Sequence, residues 1–158
     1  MNNQQSQVTP ESVGRTSQII AMSFIIGLVT LMVVTGSIRK DPPKDDSLLA
    51  LLAAVVAGTN LIARLIVPTI IVNRAKAGLK DASDADLMKQ LAALYQTKMI
   101  VGMAVLEGAA FFNLVAYFLE RHIWSYGVVA FLVGVMAISF PSQGQFERWA
   151  EEMKRELN

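Results

Sequence analysis

Apolar residues are concentrated in four long runs that short polar segments separate. The first run has 23 positions without a charged residue, and a helix needs about 20 residues to cross a bilayer. Only Arg64 interrupts the second run, only Glu107 interrupts the third, and the fourth ends before Pro141. Because backbone groups in lipid must be hydrogen-bonded internally, each run predicts a membrane-spanning helix. The predicted spans are residues 16–38, 47–73, 99–119 and 123–140.

A cleaved signal peptide is the alternative for the first run. Its apolar part is longer than the usual stretch of about 7–15 residues, and no clear A-x-A cleavage site follows it. One basic residue, Arg15, precedes it. We therefore favour an uncleaved first span.

The distribution of lysine and arginine predicts the orientation of the spans. With four spans both termini lie on one side, and that side holds nine of these residues against four on the other. Cytoplasmic loops carry the excess of basic residues in membrane proteins. The sequence therefore predicts an all-α integral membrane four-helix bundle with both termini in the cytoplasm. Trp124 and Tyr126 then fall at the outer interface, where aromatic rings are enriched.

Three segments lie outside the predicted spans. Residues 1–15 are rich in Asn, Gln and Ser, which is typical of a disordered polar tail. Residues 83–98 carry leucines at helical spacing, which predicts a cytoplasmic helix, capped by Ser83, that continues into the third span. Residues 141–158 predict an amphipathic helix that lies on the membrane surface, docks a partner or packs against the bundle. Its apolar face consists of Phe146, Trp149, Met153 and Leu157.

Small residues follow one face of several spans, and in lipid such faces allow helices to approach closely. The stripes consist of Ala50, Ala53 and Ala57 in the second span, Gly102 and Gly108 to Ala110 in the third, and Gly127, Ala130, Gly134 and Ala137 in the fourth. We expect these stripes to pack the helices of one chain together. Contacts with a second copy of the chain or with another membrane protein are the alternative.

Two charged residues within the runs are the candidate functional residues. A charge at mid-membrane costs about 2.5–3.5 kcal/mol on insertion scales and therefore usually has a partner. Arg64 lies nine residues before Asn73, at the end of the second span, and Glu107 lies nine residues after Lys98. With a rise of about 1.5 Å per residue, both lie about 13–14 Å from the cytoplasmic boundary. Opposite charges at equal depth on antiparallel helices predict an ion pair across the bundle.

Neighbouring polar residues fit this pair. Asn60 lies one turn before Arg64 on the same face and can accept a hydrogen bond from the guanidinium. Pro68 lies one turn after Arg64 and lacks the N–H that would bond the carbonyl there, which predicts a kink. Asn113 faces elsewhere and is expected to bond another helix. The alternative is that the length of the second run, 27 residues, moves Arg64 to the cytoplasmic interface, where its side chain snorkels.

Composition narrows the classes of function. Hydrophobic residues make up 53% of the chain and charged residues 17%, against about 25% charged in an average soluble domain. The net charge of +1 argues against nucleic acid as a partner. The chain has no cysteine and one histidine, which excludes thiol chemistry and argues against a metal site. No nucleophile–base motif or phosphate-binding loop occurs, so we expect a protein that is not an enzyme and carries no cofactor.

The third span carries a Glu-Gly step followed by small and aromatic residues, and the fourth ends at a Pro-Ser step. These residues are Glu107, Gly108, Phe111 and Phe112, followed by Pro141 and Ser142. The pattern resembles that of uncharacterised bacterial four-helix membrane proteins, mainly in the second half of the chain. This resemblance implies a bacterial inner-membrane protein and no known activity.

Glu107 among small residues is also similar, more weakly, to the ion-carrying carboxylate of the proteolipid c-subunits of rotary ATPases. That resemblance implies that Glu107 binds a proton. The chain lacks the glycine-repeat inner helix of those rotors, and Arg64 has no counterpart in their pattern.

The leading hypothesis is a small non-enzymatic membrane protein with a structural or accessory role, in which the ion pair fixes helix register. Its expected partners are the lipid bilayer and either a second copy of the chain or another membrane protein. One alternative is a protein that conducts or transports protons or cations through Glu107. Another is that the two charges form a ligand, lipid or partner site.

Overall fold

A computed structural model describes residues 9–38, 42, 47–79 and 84–157 of the chain. These residues form five α-helices and no β-strand, which confirms the all-α prediction. The helices are α1 (Pro10–Ile38), α2 (Leu48–Leu79), α3 (Asp84–Glu120), α4 (Ile123–Ile138) and α5 (Gln143–Leu157).

Three of these helices are long and apolar enough to cross a membrane, which indicates a membrane protein. α1 has 29 residues, α2 has 32, and the apolar part of α3 has 35. α4 has only 16 residues, about 24 Å of helix against a hydrocarbon core of about 30 Å. It ends at Ile138, two residues before the predicted end, because Pro141 disfavours helical backbone at the residue before it. The fourth crossing therefore stays a prediction.

α2 and α3 extend past the predicted spans at the end where they connect. α2 runs to Leu79, six residues beyond the predicted span, and α3 begins at Asp84. The predicted helix 83–98 is thus the first part of α3 and continues without a break into the third span, as expected. Its predicted cap, Ser83, lies outside the described residues. With 37 residues, α3 is about 55 Å long.

α3 is the central helix and packs against α1, α2, α4 and α5. Alanines on α2 and α3 allow their backbones to approach, and larger side chains from α1 and α4 fill the remaining space. We call the resulting cluster the central core. It consists of Ala21, Leu28, Ala57, Met103, Leu106, Ala109, Ala110, Leu114, Val129, Leu132 and Met136.

A second cluster, which we call the terminal core, lies at the end of the bundle where α5 packs. It consists of Val13, Val72, Leu79, Leu91, Ala92, Leu94, Tyr95, Phe146, Ala150 and Met153. The Phe146 side chain is only 1% exposed, and its ring meets that of Tyr95 edge-on with 5.2 Å between centroids.

The apolar face of α5 is directed into the bundle. Phe146 and Met153 are buried, and Trp149 and Leu157 pack half-buried against the terminal core. Of the three alternatives for this helix, the structure shows packing against the bundle, because this face covers apolar residues of α1, α2 and α3. The four residues are therefore not displayed as a partner- or membrane-facing surface.

α1 begins at Pro10, so the prediction of a disordered tail is wrong for residues 10–15. The Ser12 N–H donates to Thr9 Oγ1 at 3.3 Å, and the Thr9 N–H donates to Ser12 Oγ at 3.2 Å. Reciprocal capping of this kind, followed by proline at the first helical position, is typical of a helix start. Composition missed it because capping depends on the order of individual residues. Val13 then holds this end of α1 in the terminal core.

The small residues of α4 do not pack against the rest of the chain, which contradicts the expectation for that stripe. Gly127, Ala130, Gly134 and Ala137 are all exposed, and a Cβ added at either glycine would meet nothing within 4 Å. The buried face of α4 consists of Ser125, Val129, Leu132 and Met136. Larger side chains of α4 face the alanines of α3, so the volume is filled by pairing large with small residues. The alanine stripe of α2 is buried as expected.

At the end of the bundle opposite α5, Glu120 caps α2. Its carboxylate is 6% exposed and accepts hydrogen bonds from the N–H groups of Leu49 and Ala50, each at 2.8 Å. The first N–H groups of a helix have no partner within the helix, and negative charge is favoured beside them. The sequence places Glu120 only in a loop, and this contact joins the end of α3 to the start of α2.

Arg121 makes the tight turn between α3 and α4. Its φ of 60° is left-handed, a conformation common just after the end of a helix. Its guanidinium lies 5.1 Å from the centre of the Tyr117 ring and donates to Tyr117 Oη at 3.2 Å. Tyr117 in turn lies 5.0 Å from Tyr126 of α4 between ring centroids. These contacts hold α3 and α4 together as an antiparallel hairpin.

Candidate functional site

A cavity of about 460 Å³ opens between α2, α3 and the start of α5. The polar side chains that line it are Arg64, Thr69, Tyr95, Lys98, Ser139, Gln145 and Trp149. Leu65, Met99 and Met103 contribute to its apolar wall. Small-molecule sites are usually cavities of about 300–1,000 Å³ with an apolar lining and a few polar groups. We therefore take this cavity, which we call the Arg64 cavity, as the candidate site.

The Arg64 side chain lines this cavity opposite Gly102 of α3. A Cβ added at Gly102 would lie 3.9 Å from Arg64 Cγ and 3.9 Å from Pro68 Cγ. The arginine stem and the proline ring thus face Gly102 with room for one methyl group between them and α3. In the part of the chain that the structure describes, Arg64 forms no ion pair with a carboxylate. Its charge therefore remains available to a ligand.

Lys98 is the second cation of the cavity and is half-buried. Its Nζ lies 5.5 Å from the centre of the Trp149 ring, within the range of a cation–π interaction. Glu152 attracts Lys98 electrostatically but lies beyond salt-bridge distance. The neighbouring acid on α5, Glu156, is paired with Lys76 at 2.6 Å.

The start of α5 forms one edge of the cavity. The Ser142 N–H donates to Gln145 Oε1 at 3.2 Å, and the Gln145 N–H donates to Ser142 Oγ at 3.3 Å. This capping box fixes where α5 begins. Gln18 of α1 donates from Nε2 to the carbonyl of Pro141 at 3.3 Å, which ties the turn to the bundle. The positive end of the α5 dipole is therefore held at the cavity wall.

The structure does not bring Arg64 and Glu107 together, so the predicted ion pair is not shown. Arg64 packs beside Gly102, and the five residues from Gly102 to Glu107 turn α3 through about 140°. Counting depth from the ends of the apolar runs placed the two charges level with each other. α3 begins at Asp84, 15 residues before its predicted span, whereas α2 ends only six residues after its own, so the turn between them lies earlier in the chain than equal depths require. The level of Arg64 therefore falls near Gly102, closer to the start of α3 than Glu107 is.

Glu107 instead lines a separate groove of about 330 Å³ between α3 and α1. The groove is otherwise lined by Ile19, Ile20, Ser23 and Phe24. The Ser23 hydroxyl donates to the carbonyl of Ile19 at 2.9 Å, so it is already satisfied within α1. Glu107 is half-buried, and within the described ranges it forms no ion pair.

Asn113 makes the bond to another helix that the sequence predicts. Its side chain is fully buried, and Nδ2 donates to the carbonyl of Ala53 on α2 at 2.9 Å. The same Nδ2 donates to the carbonyl of Ala109 on its own helix at 2.9 Å. Hydrogen bonds of this kind join helices in the absence of water.

Of the two residues predicted to assist Arg64, Asn60 bonds its own helix and Pro68 lies beside the arginine stem over Gly102. Asn60 donates from Nδ2 to the carbonyl of Val56 at 3.0 Å, one turn earlier in α2. No hydrogen bond between Asn60 and Arg64 occurs among the described residues. Pro68 is buried within α2 and packs on Gly102, while the kink predicted there stays a prediction.

Five polar residues of the cavity were not among the predicted site residues: Thr69, Tyr95, Lys98, Ser139 and Gln145. Sequence spacing indicates some of these residues, because Tyr95 and Lys98 lie three residues apart on α3, one turn before Gly102. Gln145 lies one turn before Trp149 on α5. Spacing identifies these faces, but which faces meet depends on how α5 packs, and the sequence left that open.

No family model, curated protein or solved structure matches this chain. The two family resemblances of the third span therefore stay predictions. Within the described ranges, no group of three or more histidine, aspartate and glutamate residues is placed to hold a metal ion. The features that bear on function are the apolar helices, the Arg64 cavity and the Glu107 groove.

Proposed function

We propose that this chain is a small multi-pass membrane protein with a structural or accessory role and no catalytic activity. In this proposal α1 to α4 each cross the bilayer of a bacterial inner membrane, and both termini lie in the cytoplasm. The observation that carries it is the apolar outer surface of α1 and α2, where Ile26, Val33 and Leu65 are 57%, 60% and 73% exposed. Soluble monomers rarely expose contiguous apolar surface on this scale, whereas lipid covers it.

The short helix α4 fits this proposal as the second arm of a hairpin with α3. A span shorter than the hydrocarbon core is accommodated by local thinning of the bilayer at modest cost. Trp124, at the start of α4, is 73% exposed and suits the membrane interface. The exposed small-residue face of α4 supports an accessory role, since such a face permits close approach of a helix from a second copy or another membrane protein.

Cysteine labelling tests the four-span arrangement. The chain has no cysteine of its own, so one introduced cysteine is the only thiol. We expect a membrane-impermeant maleimide added to intact cells to label Asp45→Cys, in the first predicted outer loop. Glu151→Cys, on an exposed position of α5, should be labelled only after the membrane is permeabilised. Equal labelling of both variants in intact cells would instead place α5 outside and leave three spans.

A second candidate function is conduction of protons or cations through Glu107. The observation that favours it is the unpaired carboxylate lining an open groove of α1 and α3. Proton flux into sealed vesicles containing the purified protein separates the two candidates. The accessory role predicts the same flux as in empty vesicles.

A larger flux that Glu107→Gln abolishes would replace the accessory role by conduction, because glutamine cannot take up or release a proton. Glu151→Gln is the matched control, since it removes an exposed glutamate of α5 outside the groove. The control variant should behave as the unchanged chain in either case.

A further inference from the structure

The Arg64 cavity has the chemistry of a site for a phosphate group attached to an apolar chain. We propose that it binds the phosphate headgroup of an anionic phospholipid. The proposal rests on the crossing of the bilayer by α2 and α3 and is independent of the accessory role. Cysteine labelling tests the crossing separately from the binding experiment.

Positive charge is the first observation behind this assignment. Arg64 and Lys98 both line the cavity, and neither forms a salt bridge in the described part of the chain. Arginine presents a planar set of donors that matches phosphate oxygens, and lysine adds a point charge. The α5 N-terminus at the cavity edge adds the positive end of a helix dipole. Glu152 offsets part of the charge of Lys98 but does not line the cavity.

Neutral donors are the second observation. Tyr95, Ser139, Gln145 and Trp149 also line the cavity. The Ser139 hydroxyl is already used, since it donates to the carbonyl of Val135 at 2.7 Å. A hydroxyl, an amide and an indole therefore remain near the two cations, and such groups suit the ester oxygens and glycerol of a headgroup.

The way into the cavity is the third observation. Leu65 lines it beside Arg64 and is 73% exposed, so the cavity opens onto the apolar outer surface of α2. Met99 and Met103 continue the apolar wall on α3. A molecule with a charged head and an apolar tail can therefore enter sideways from the bilayer and keep its tail in lipid. A free anion would leave this apolar wall uncovered.

The position along the bundle fits the same ligand. The cavity lies beside the half-buried Trp149 and α5, at the end that the basic residues place in the cytoplasm. Basic pockets between membrane helices on that side are suited to anionic lipid headgroups, and each nearby Lys or Arg contributes about 1 kcal/mol of attraction to an anionic lipid surface.

Trp149 provides the probe for a binding experiment. The chain has two tryptophans, so Trp124→Phe leaves Trp149, in the cavity wall, as the sole reporter. The purified protein in neutral detergent micelles is titrated with phosphatidylglycerol whose acyl chains carry bromine, which quenches tryptophan fluorescence on contact. We expect saturable quenching by this lipid and at least several-fold weaker quenching by phosphatidylcholine with the same brominated chains.

Variants of the two cations identify the site. Arg64→Gln and Lys98→Gln should each weaken binding of phosphatidylglycerol about 5-fold, and the double variant about 30-fold. Arg64→Lys keeps the charge but not the planar donors and should lose less affinity than Arg64→Gln. Arg74→Gln is the matched control, because it removes an exposed cation of α2 outside the cavity. Its binding curve should be unchanged.

Three results would overturn the proposal. The first is equal quenching by the two brominated lipids. This comparison uses the protein with Arg64 and Lys98 unchanged, so it tests the proposal even if the double variant does not fold. The second is a loss of affinity in Arg74→Gln as large as in Arg64→Gln, which would indicate general attraction. The third is displacement of phosphatidylglycerol by inorganic phosphate at comparable concentration, which would assign the site to a free anion.

Discussion

Replacing Phe146 by alanine is expected to release α5 from the bundle. The Phe146 side chain is 1% exposed and sits in the terminal core, where its ring meets Tyr95 edge-on. Truncation of a buried phenylalanine to alanine costs about 3–5 kcal/mol, because apolar contacts are lost and a cavity remains. The aromatic pair adds about 0.5–1.5 kcal/mol to that loss. Few contacts besides this apolar face hold the helix, so we expect the loss to fall on α5 rather than on the central core.

Limited proteolysis and fluorescence measure the release. With Trp124→Phe as the background, Phe146→Ala should shift the emission of Trp149 to longer wavelength and expose α5 to cleavage, while the remaining helices stay intact. Phe131→Ala is the matched control, because Phe131 lies on α4 and is 58% exposed. The same protease resistance in Phe146→Ala as in Phe131→Ala would contradict the docking of α5.

Replacing Glu120 by alanine is expected to lower the free energy of unfolding by about 3 kcal/mol. The buried carboxylate accepts from the N–H groups of Leu49 and Ala50, and both lose their partner in the variant. A buried donor left without a partner costs about 1–3 kcal/mol, and the charge at the helix start contributes up to about 2 kcal/mol more. Glu120→Gln keeps one acceptor but loses the charge, so a smaller loss of about 1–2 kcal/mol is expected.

Unfolding by sodium dodecyl sulfate in mixed micelles, followed by circular dichroism, gives these differences. Glu151→Ala removes an exposed glutamate of α5 and serves as the control, with an expected change below about 0.5 kcal/mol. Equal midpoints for Glu120→Ala and Glu151→Ala would show that the cap does not stabilise the fold.

The helices themselves could be predicted because apolar runs and helical spacing act locally. Residues 84–98 continue into the predicted third span as one helix, as the leucine spacing indicates. Asn113 bonds α2 because its buried amide donor pairs with a carbonyl of the neighbouring helix. The start of α1 at Pro10 was also present in the sequence, in the Thr9–Ser12 capping pair, but average composition does not detect it.

The pairing of helix faces could not be predicted in the same way. Spacing shows that Gly127 and Gly134 share a face of α4, but not that this face points outward. The relation of Arg64 to Glu107 depended on where α2 and α3 turn back. The apolar runs place that turn too late in the chain, because α3 extends further before its run than α2 extends beyond its own. The Arg64 cavity needs a third helix, α5, whose position follows from the terminal core and not from any local pattern.

The cap on α2 by Glu120 also affects when the two halves of the chain can fold during synthesis. Glu120 lies 71 residues after Leu49 and accepts a hydrogen bond from the Leu49 N–H. At a synthesis rate of about 5–20 residues per second, the ribosome takes about 4–14 s to cover that distance. Throughout that interval the N–H groups of Leu49 and Ala50 lack the carboxylate of Glu120. α2 is therefore synthesised early, but its N-terminal cap forms only after α3 has been synthesised. The first half of the protein thus reaches its final structure together with the second half and not before it.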